Sequence, residues 1–132
     1  MIGIDTNILV RYIVQDDEEQ ARLAGELIEN GCTEESPGFI NRIVLCELVW
    51  VLSKAYGYER TLIAGVLEQI LVTTNFEVEN TAVAWAAVRN YGTGTADFSD
   101  YLIAHSNKGS NAVPTITFDR KAGEHPLFKI LS

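Results

Sequence analysis

Apolar and polar positions alternate along the chain in blocks that predict an α/β protein rich in helices. The opening Met1-Ile2-Gly3-Ile4 is short, apolar and β-branched, and three capping residue types, Asp5, Thr6 and Asn7, follow it before Ile8-Leu9-Val10 resumes. That order predicts a buried strand, a sharp turn and a helix over Thr6 to Val14, with Ile8, Leu9, Tyr12 and Ile13 at helical spacing. A second helix is expected from an Asp16 or Asp17 cap to Gly31, with Ala21, Ala24, Leu27 and Ile28 on its apolar side. After the turn residues Ser36-Pro37-Gly38, Phe39-Ile40 reads as a short strand leading into a third helix from Asn41 to Tyr56. Arg60 to Val72 is amphipathic, and Phe76 to Glu79 alternates as a half-exposed strand does. Asn80-Thr81 caps a helix that carries Val83, Ala84, Ala87 and Val88, with Gly92 and Gly94 breaking the chain after it. Ser99 to Lys108 is the last predicted helix, Val113 to Phe118 is a strand that delivers Asp119, and Leu127 to Leu131 is an edge strand. Strands alternating with helices in this way imply right-handed crossovers and a parallel sheet with helices on both faces.

Composition narrows the class. The 132 residues fit one compact domain spanning 1–132, and 47% hydrophobic with 21% charged residues describes an ordinary globular chain. No apolar run approaches the ~20 residues of a membrane span, and a charged residue at position 5 leaves no room for a leader's apolar region, so a cytoplasmic protein without membrane contact is expected. Cys32 and Cys46 lack metal-type spacing and are expected as free thiols. The net charge of -8 is concentrated: between Asp16 and Glu35 eight acids face one base, Arg22, leaving the rest of the chain nearly neutral. A segment so acidic suits a basic partner protein better than duplex DNA, or it is a solvated helix face.

Several acids sit where a merely solvated acid is out of place. Asp5 ends a predicted strand, where function gathers in open parallel sheets, and it can equally cap the helix that follows. Glu47 has Ile43, Val44, Trp50 and Val51 as its helical neighbours, so it is expected to be buried or at the rim of a cleft. A buried carboxylate is normally paired, protonated or bound to a cation. Asp97 and Asp100 lie three residues apart at a helix start, and Asp119 repeats the strand-end pattern with the Thr115 and Thr117 hydroxyls on its side. Two carboxylates about 4 Å apart repel by roughly 4 kcal/mol at an effective dielectric of about 20, so convergence of these acids requires protons or divalent metal. All-oxygen donors suit Mg²⁺ or Mn²⁺, as one or two ions, and zinc is disfavoured because Cys32, Cys46, His105 and His125 show no ligand spacing. Such a site suits hydrolysis of a phosphodiester by metal-activated water. Gly92-Thr93-Gly94 lacks the lysine and spacing of a nucleotide-binding loop.

Taken in order, Ile4-Asp5-Thr6-Asn7, Glu47, the run Ala96-Asp97-Phe98-Ser99-Asp100-Tyr101-Leu102-Ile103-Ala104, and Thr117-Phe118-Asp119 resemble a PIN domain, and more narrowly the VapC toxins of type II toxin-antitoxin systems. The resemblance implies a three-layer α/β/α sandwich with a central parallel sheet. It further implies an Mg²⁺- or Mn²⁺-dependent endoribonuclease acting on RNA, a homodimer, and a cognate VapB-type antitoxin. Asp5, Glu47, Asp100 and Asp119 fall at the family's four acids, and Asp97 at an additional acid found in many members. Thr6, Asn7 and Thr117 fall where small polar residues orient them. Arg11, Arg42 and Arg120, near these segments, are candidate contacts to single-stranded RNA. A PIN nuclease of RNA processing without an antitoxin, and a non-catalytic PIN binding module, are the alternatives. A phosphatase of the haloacid-dehalogenase type wants a second aspartate two residues after the first, and position 7 is asparagine.

Overall fold

Short polar caps set where the first three helices of this chain begin. The computed structural model describes all 132 residues, Met1–Ser132. They fall into two compact units, Met1–Thr81 and Ala82–Ser132.

In the first unit, β1 (Ile2–Gly3) gives way at Asp5 to α1 (Thr6–Val14), which ends where Gln15 takes a left-handed conformation. Asp17 accepts the Gln20 N–H and starts α2 (Glu18–Glu26), with Glu18 and Glu19 in the favourable first turn. The helix then widens into a π-helical turn over Leu27–Gly31, where the Ile28 carbonyl accepts a bond from Asn75 Nδ2 at 2.8 Å. β2 (Gly38–Ile40) leads to Asn41, whose side chain accepts the Val44 N–H and caps α3 (Arg42–Lys54). α4 (Arg60–Val72) and β3 (Phe76–Val78) complete the unit.

The three strands are parallel in the order β1-β2-β3, Ile2 opposite Gly38 and Gly38 opposite Phe76. Each strand-to-strand connection carries two helices, as a parallel sheet requires. Leu9, Ile28, Ile40, Leu48, Ile63 and Leu67 are fully buried and form the core. Gly38 is needed beneath the strand end: a Cβ there would come within 2.7 Å of Ile4 Cγ1 and 3.2 Å of Cys32 Sγ. Arg42 ties the start of α3 to the end of β3, its backbone N–H and guanidinium both donating to Glu79. These bonds, the backbone one first, hold the Glu79 carboxyl below its ordinary pKa.

The second unit holds α5 (Thr81–Thr93) from Ala82 onward, then α6 (Phe98–Gly109), β4 (Thr115–Thr117), a 3-10 turn at Ala122–Glu124 and β5 (Phe128–Ile130). β4 and β5 are parallel, Thr115 opposite Phe128 and Thr117 opposite Ile130. Phe98 is the core residue here, its ring edge-on to Tyr91 at 5.8 Å.

Some expectations need correction. The opening strand is not buried: β1 forms an edge of its sheet, with Ile2 and Gly3 exposed and only Ile4 inside. α5 runs through Gly92, so the break falls at Gly94 alone. In β4 the alternation is reversed, the threonines half-buried and Ile116 and Phe118 exposed. Cys32 and Cys46 are free thiols, as expected. No helix is long and apolar enough to cross a membrane.

His105 and His125 lie on the second unit, ring centroids 5.8 Å apart, and both are packing residues. His105 Nε2 stands 2.6 Å from Asn90 Oδ1, and His125 Nδ1 accepts the Leu127 N–H at 3.1 Å. Burial lowers both pKa values, and the neighbouring His125, Lys108 and Arg89 add to the effect on His105. A histidine whose folded pKa lies below its unfolded value of 6.5 takes up its proton more readily once unfolded. Stability is therefore full above that value and falls as pH drops from there through the lowered folded pKa. We expect Tm to decline by on the order of a few degrees between about pH 7 and 5. His125→Gln should flatten the slope in a differential scanning calorimetry series.

Candidate active site

Asp5 does two things at once. Its backbone is extended and its Oδ1 accepts the Thr6 N–H at 2.8 Å, so it caps α1 while the other carboxylate oxygen stays open. Thr6 is 6% exposed, and its hydroxyl donates to Glu47 Oε1 at 2.7 Å. One buried threonine thereby holds two candidate acids, one by its amide and one by its hydroxyl.

Glu47 itself is exposed, so of the two expected settings, burial or the rim of a cleft, it is not buried. The reason lies in its neighbours: Ile43 is 72% and Trp50 64% exposed, so of the apolar residues a turn away on α3 these two face solvent, while Val44 packs into the core. The hydroxyl bond from Thr6, rather than burial, fixes its position.

In the second unit the Asp97 N–H donates to Asp100 Oδ2 at 3.3 Å, and the Asp100 N–H returns a bond to the Asp97 carbonyl at 3.1 Å. Burial pushes the Asp100 carboxyl above its ordinary pKa, and the charges of Asp119 and Asp97 push the same way. Asp119 is exposed and locked into a turn, its N–H donating to Thr117 Oγ1 at 3.0 Å and its Oδ1 accepting the Ala122 N–H at 2.8 Å. The Thr117 hydroxyl thus holds the backbone of that turn.

Asn7 is exposed and lines a cleft of about 550 Å³ between α1 and α2 with Ile8, Gln20 and Leu23. Arg11 is held by Asp16 at 2.8 Å and by Gln20, and Arg42 by Glu79, so both spend donors within the fold. Arg120 is exposed beside Asp119. Nowhere do three His, Cys, Asp or Glu side chains stand together as a ready-made ligand set. The donors fit a hard cation: all are carboxylate oxygens, Asp5 and Glu47 each keep an oxygen outside the bonds described, and Asp100 feels the negative charges of Asp119 and Asp97. The tie from Tyr101 to the Ala96 amide before Asp97 carried no signal in the sequence pattern.

A sequence model of the PIN domain matches residues 2–126. The chain belongs to the PIN domain family. That match takes in Asp5, Glu47, Asp97, Asp100 and Asp119 and runs through both units. The parallel pairing of every strand and the six helices agree with the three-layer α/β/α class of a PIN domain. Among curated proteins the chain is 26% identical over 118 residues to a VapC ribonuclease of Aquifex aeolicus (strain VF5), covering 89% of this chain and 87% of that protein. No solved structure gives a significant match.

Proposed function

We propose that this PIN domain is a divalent-metal-dependent endoribonuclease, the toxin of a toxin-antitoxin pair, and that residues 1–132 act as one domain. The observation that carries the reading is a family match that takes in all five acids, two of which share one buried threonine. The similarity to a VapC ribonuclease over most of both chains supports RNA as the substrate.

In this reading Asp5, Glu47, Asp100 and Asp119 hold Mg²⁺ or Mn²⁺, with Asp97 assisting. A bound divalent ion supplies Lewis acidity toward water and offsets charge on the scissile phosphate. The chain's own residues do the rest. Thr6 keeps the Asp5 and Glu47 carboxylates oriented, and Thr117 keeps the Asp119 turn closed. Asp100 contributes its half-buried carboxylate from the first turn of α6, where its Oδ2 accepts the Asp97 N–H. Arg120 is the arginine best placed to meet an RNA phosphate, because Arg11 and Arg42 are engaged in ion pairs.

Adding Mn²⁺ to the purified protein should raise Tm, because an ion bound only by the folded state stabilises it by about 2.7 kcal/mol at a hundred times its Kd. A 5′-labelled RNA should be cut in the same buffer and left intact in EDTA. No rise in Tm at saturating Mn²⁺ would overturn the metal reading.

The antitoxin contact is proposed for the first unit, and a homodimer is the proposed assembly. Exposed Glu26 and Glu29 follow the acidic start of α2. An apolar cavity of about 410 Å³, lined by Leu9, Tyr12, Ile13, Val66, Ile70 and Phe76, opens between α1 and α4. A segment with apolar anchors and basic flanks suits this combination. Charge reversal at Glu26 and Glu29 should weaken the complex and reduce its salt dependence, as read by calorimetric titration at two salt concentrations.

A further inference from the structure

The loop Gly94–Asp97 joins α5 to the acids of α6, and one side chain is seated over it. Tyr101, 3% exposed, accepts the Ala96 N–H on its hydroxyl at 3.2 Å. Its ring lies edge-on to His125 at 5.7 Å. Gly94 is placed under the same hydroxyl: a Cβ there would collide with the Tyr101 oxygen and come within 2.7 Å of the Asn90 carbonyl, which already accepts the Gly94 N–H. The loop has therefore been pared to a glycine at the point where the hydroxyl passes. Ala96, at the other end of the bond, is 2% exposed. The next residue is Asp97, whose N–H binds Asp100 Oδ2.

We propose that Tyr101 is a positioning residue for the carboxylates of α6: its hydroxyl, seated over Gly94, holds the Ala96 amide and so fixes Asp97 against Asp100. The inference rests on the metal-dependent reading above. A tyrosine needed only to fill space would tolerate phenylalanine, because the ring packing against His125 is kept and a single oxygen is lost.

The test is Tyr101→Phe. In the parent, Mn²⁺ titration followed by thermal shift gives a half-saturating concentration. In Tyr101→Phe that concentration should rise about tenfold, the scale of one net hydrogen bond. The kcat for RNA cleavage at fixed subsaturating Mn²⁺ should fall by a similar factor with KM for RNA unchanged. Hydrogen exchange should speed up at the Ala96 and Asp97 amides. A purely structural role would lower the metal-free Tm and leave the Mn²⁺ requirement at the parent value, and that result would overturn the proposal. Should Tyr101→Phe fail to fold, exchange in the parent decides: an Ala96 amide as fast as exposed loop amides overturns it, and a protected one supports it. If the parent shows no Mn²⁺ shift, the metal reading fails by itself, and exchange at Ala96 and Asp97 in Tyr101→Phe still tests the positioning.

Discussion

Asp5→Asn should abolish Mn²⁺-dependent RNA cleavage, lowering kcat by about a hundredfold or more, the scale on which loss of one preorganised electrostatic group acts. The substitution isolates charge from structure. Asparagine caps a helix as well as aspartate does, and its Oδ1 can still accept the Thr6 N–H, so α1 should begin where it does now. The Thr6 hydroxyl is untouched and continues to hold Glu47. What disappears is one negative charge and the donor strength it gives toward a hard cation. Tm without metal should match the parent within a degree or so, while the Mn²⁺-induced rise shrinks. Asp5→Ala would confuse the two effects, because it also removes a cap worth ~1 kcal/mol. Equal cleavage by the parent and Asp5→Asn, measured on one labelled RNA, would remove Asp5 from the chemistry.

Phe98→Ala should cost about 3–5 kcal/mol of stability, the range for emptying a buried aromatic site. Phe98 is 1% exposed, and its ring meets Tyr91 at 88°. That edge-to-face pair adds ~0.5–1.5 kcal/mol beyond the buried area. The position opens α6 immediately after Asp97, so the cavity would form beneath the acids of that helix. Against a typical total of about 5–15 kcal/mol, such a loss leaves the second unit partly unfolded at 37 °C. The denaturant midpoint, followed by near-ultraviolet circular dichroism, reads it directly. A loss under about 1 kcal/mol would mean that the site collapses around the deletion, contrary to the packing described.

Where local chemistry decided an element, the sequence was enough. α1 and α4 fall at the expected residues because each carries a clean apolar period, which the Asp5 cap opens in α1. Asp17 and Asn41 cap α2 and α3 as their residue types suggest. Where packing decided, the pattern misled. Glu47 was expected inside or at a cleft rim because its neighbours are apolar, but Ile43 and Trp50 are themselves in solvent, and a contact graph rather than a helical wheel is needed to see that. The reversed burial of β4 has the same origin, since three residues of alternation do not say which side is covered. The engagement of Arg11 by Asp16 and of Arg42 by Glu79 depends on how helix ends meet, and no spacing rule reports it. The acids themselves were legible as a set in order along the chain. Their partners Thr6 and Thr117 were legible as residue types, and the direction of their bonds was not.

The Asp5-Thr6-Glu47 bridge also limits which substitutions position 6 accepts. The side chain is buried, its backbone amide is given to the preceding carboxylate, and its one hydroxyl proton goes to an acid 41 positions later in the chain. Valine would match the shape and strand the bond, while serine would keep the bond and lose a methyl group. A combinatorial library randomised at this codon and selected for activity should therefore return threonine and serine almost alone. Positions 5 and 47 would then covary with it as a three-letter word rather than as independent sites.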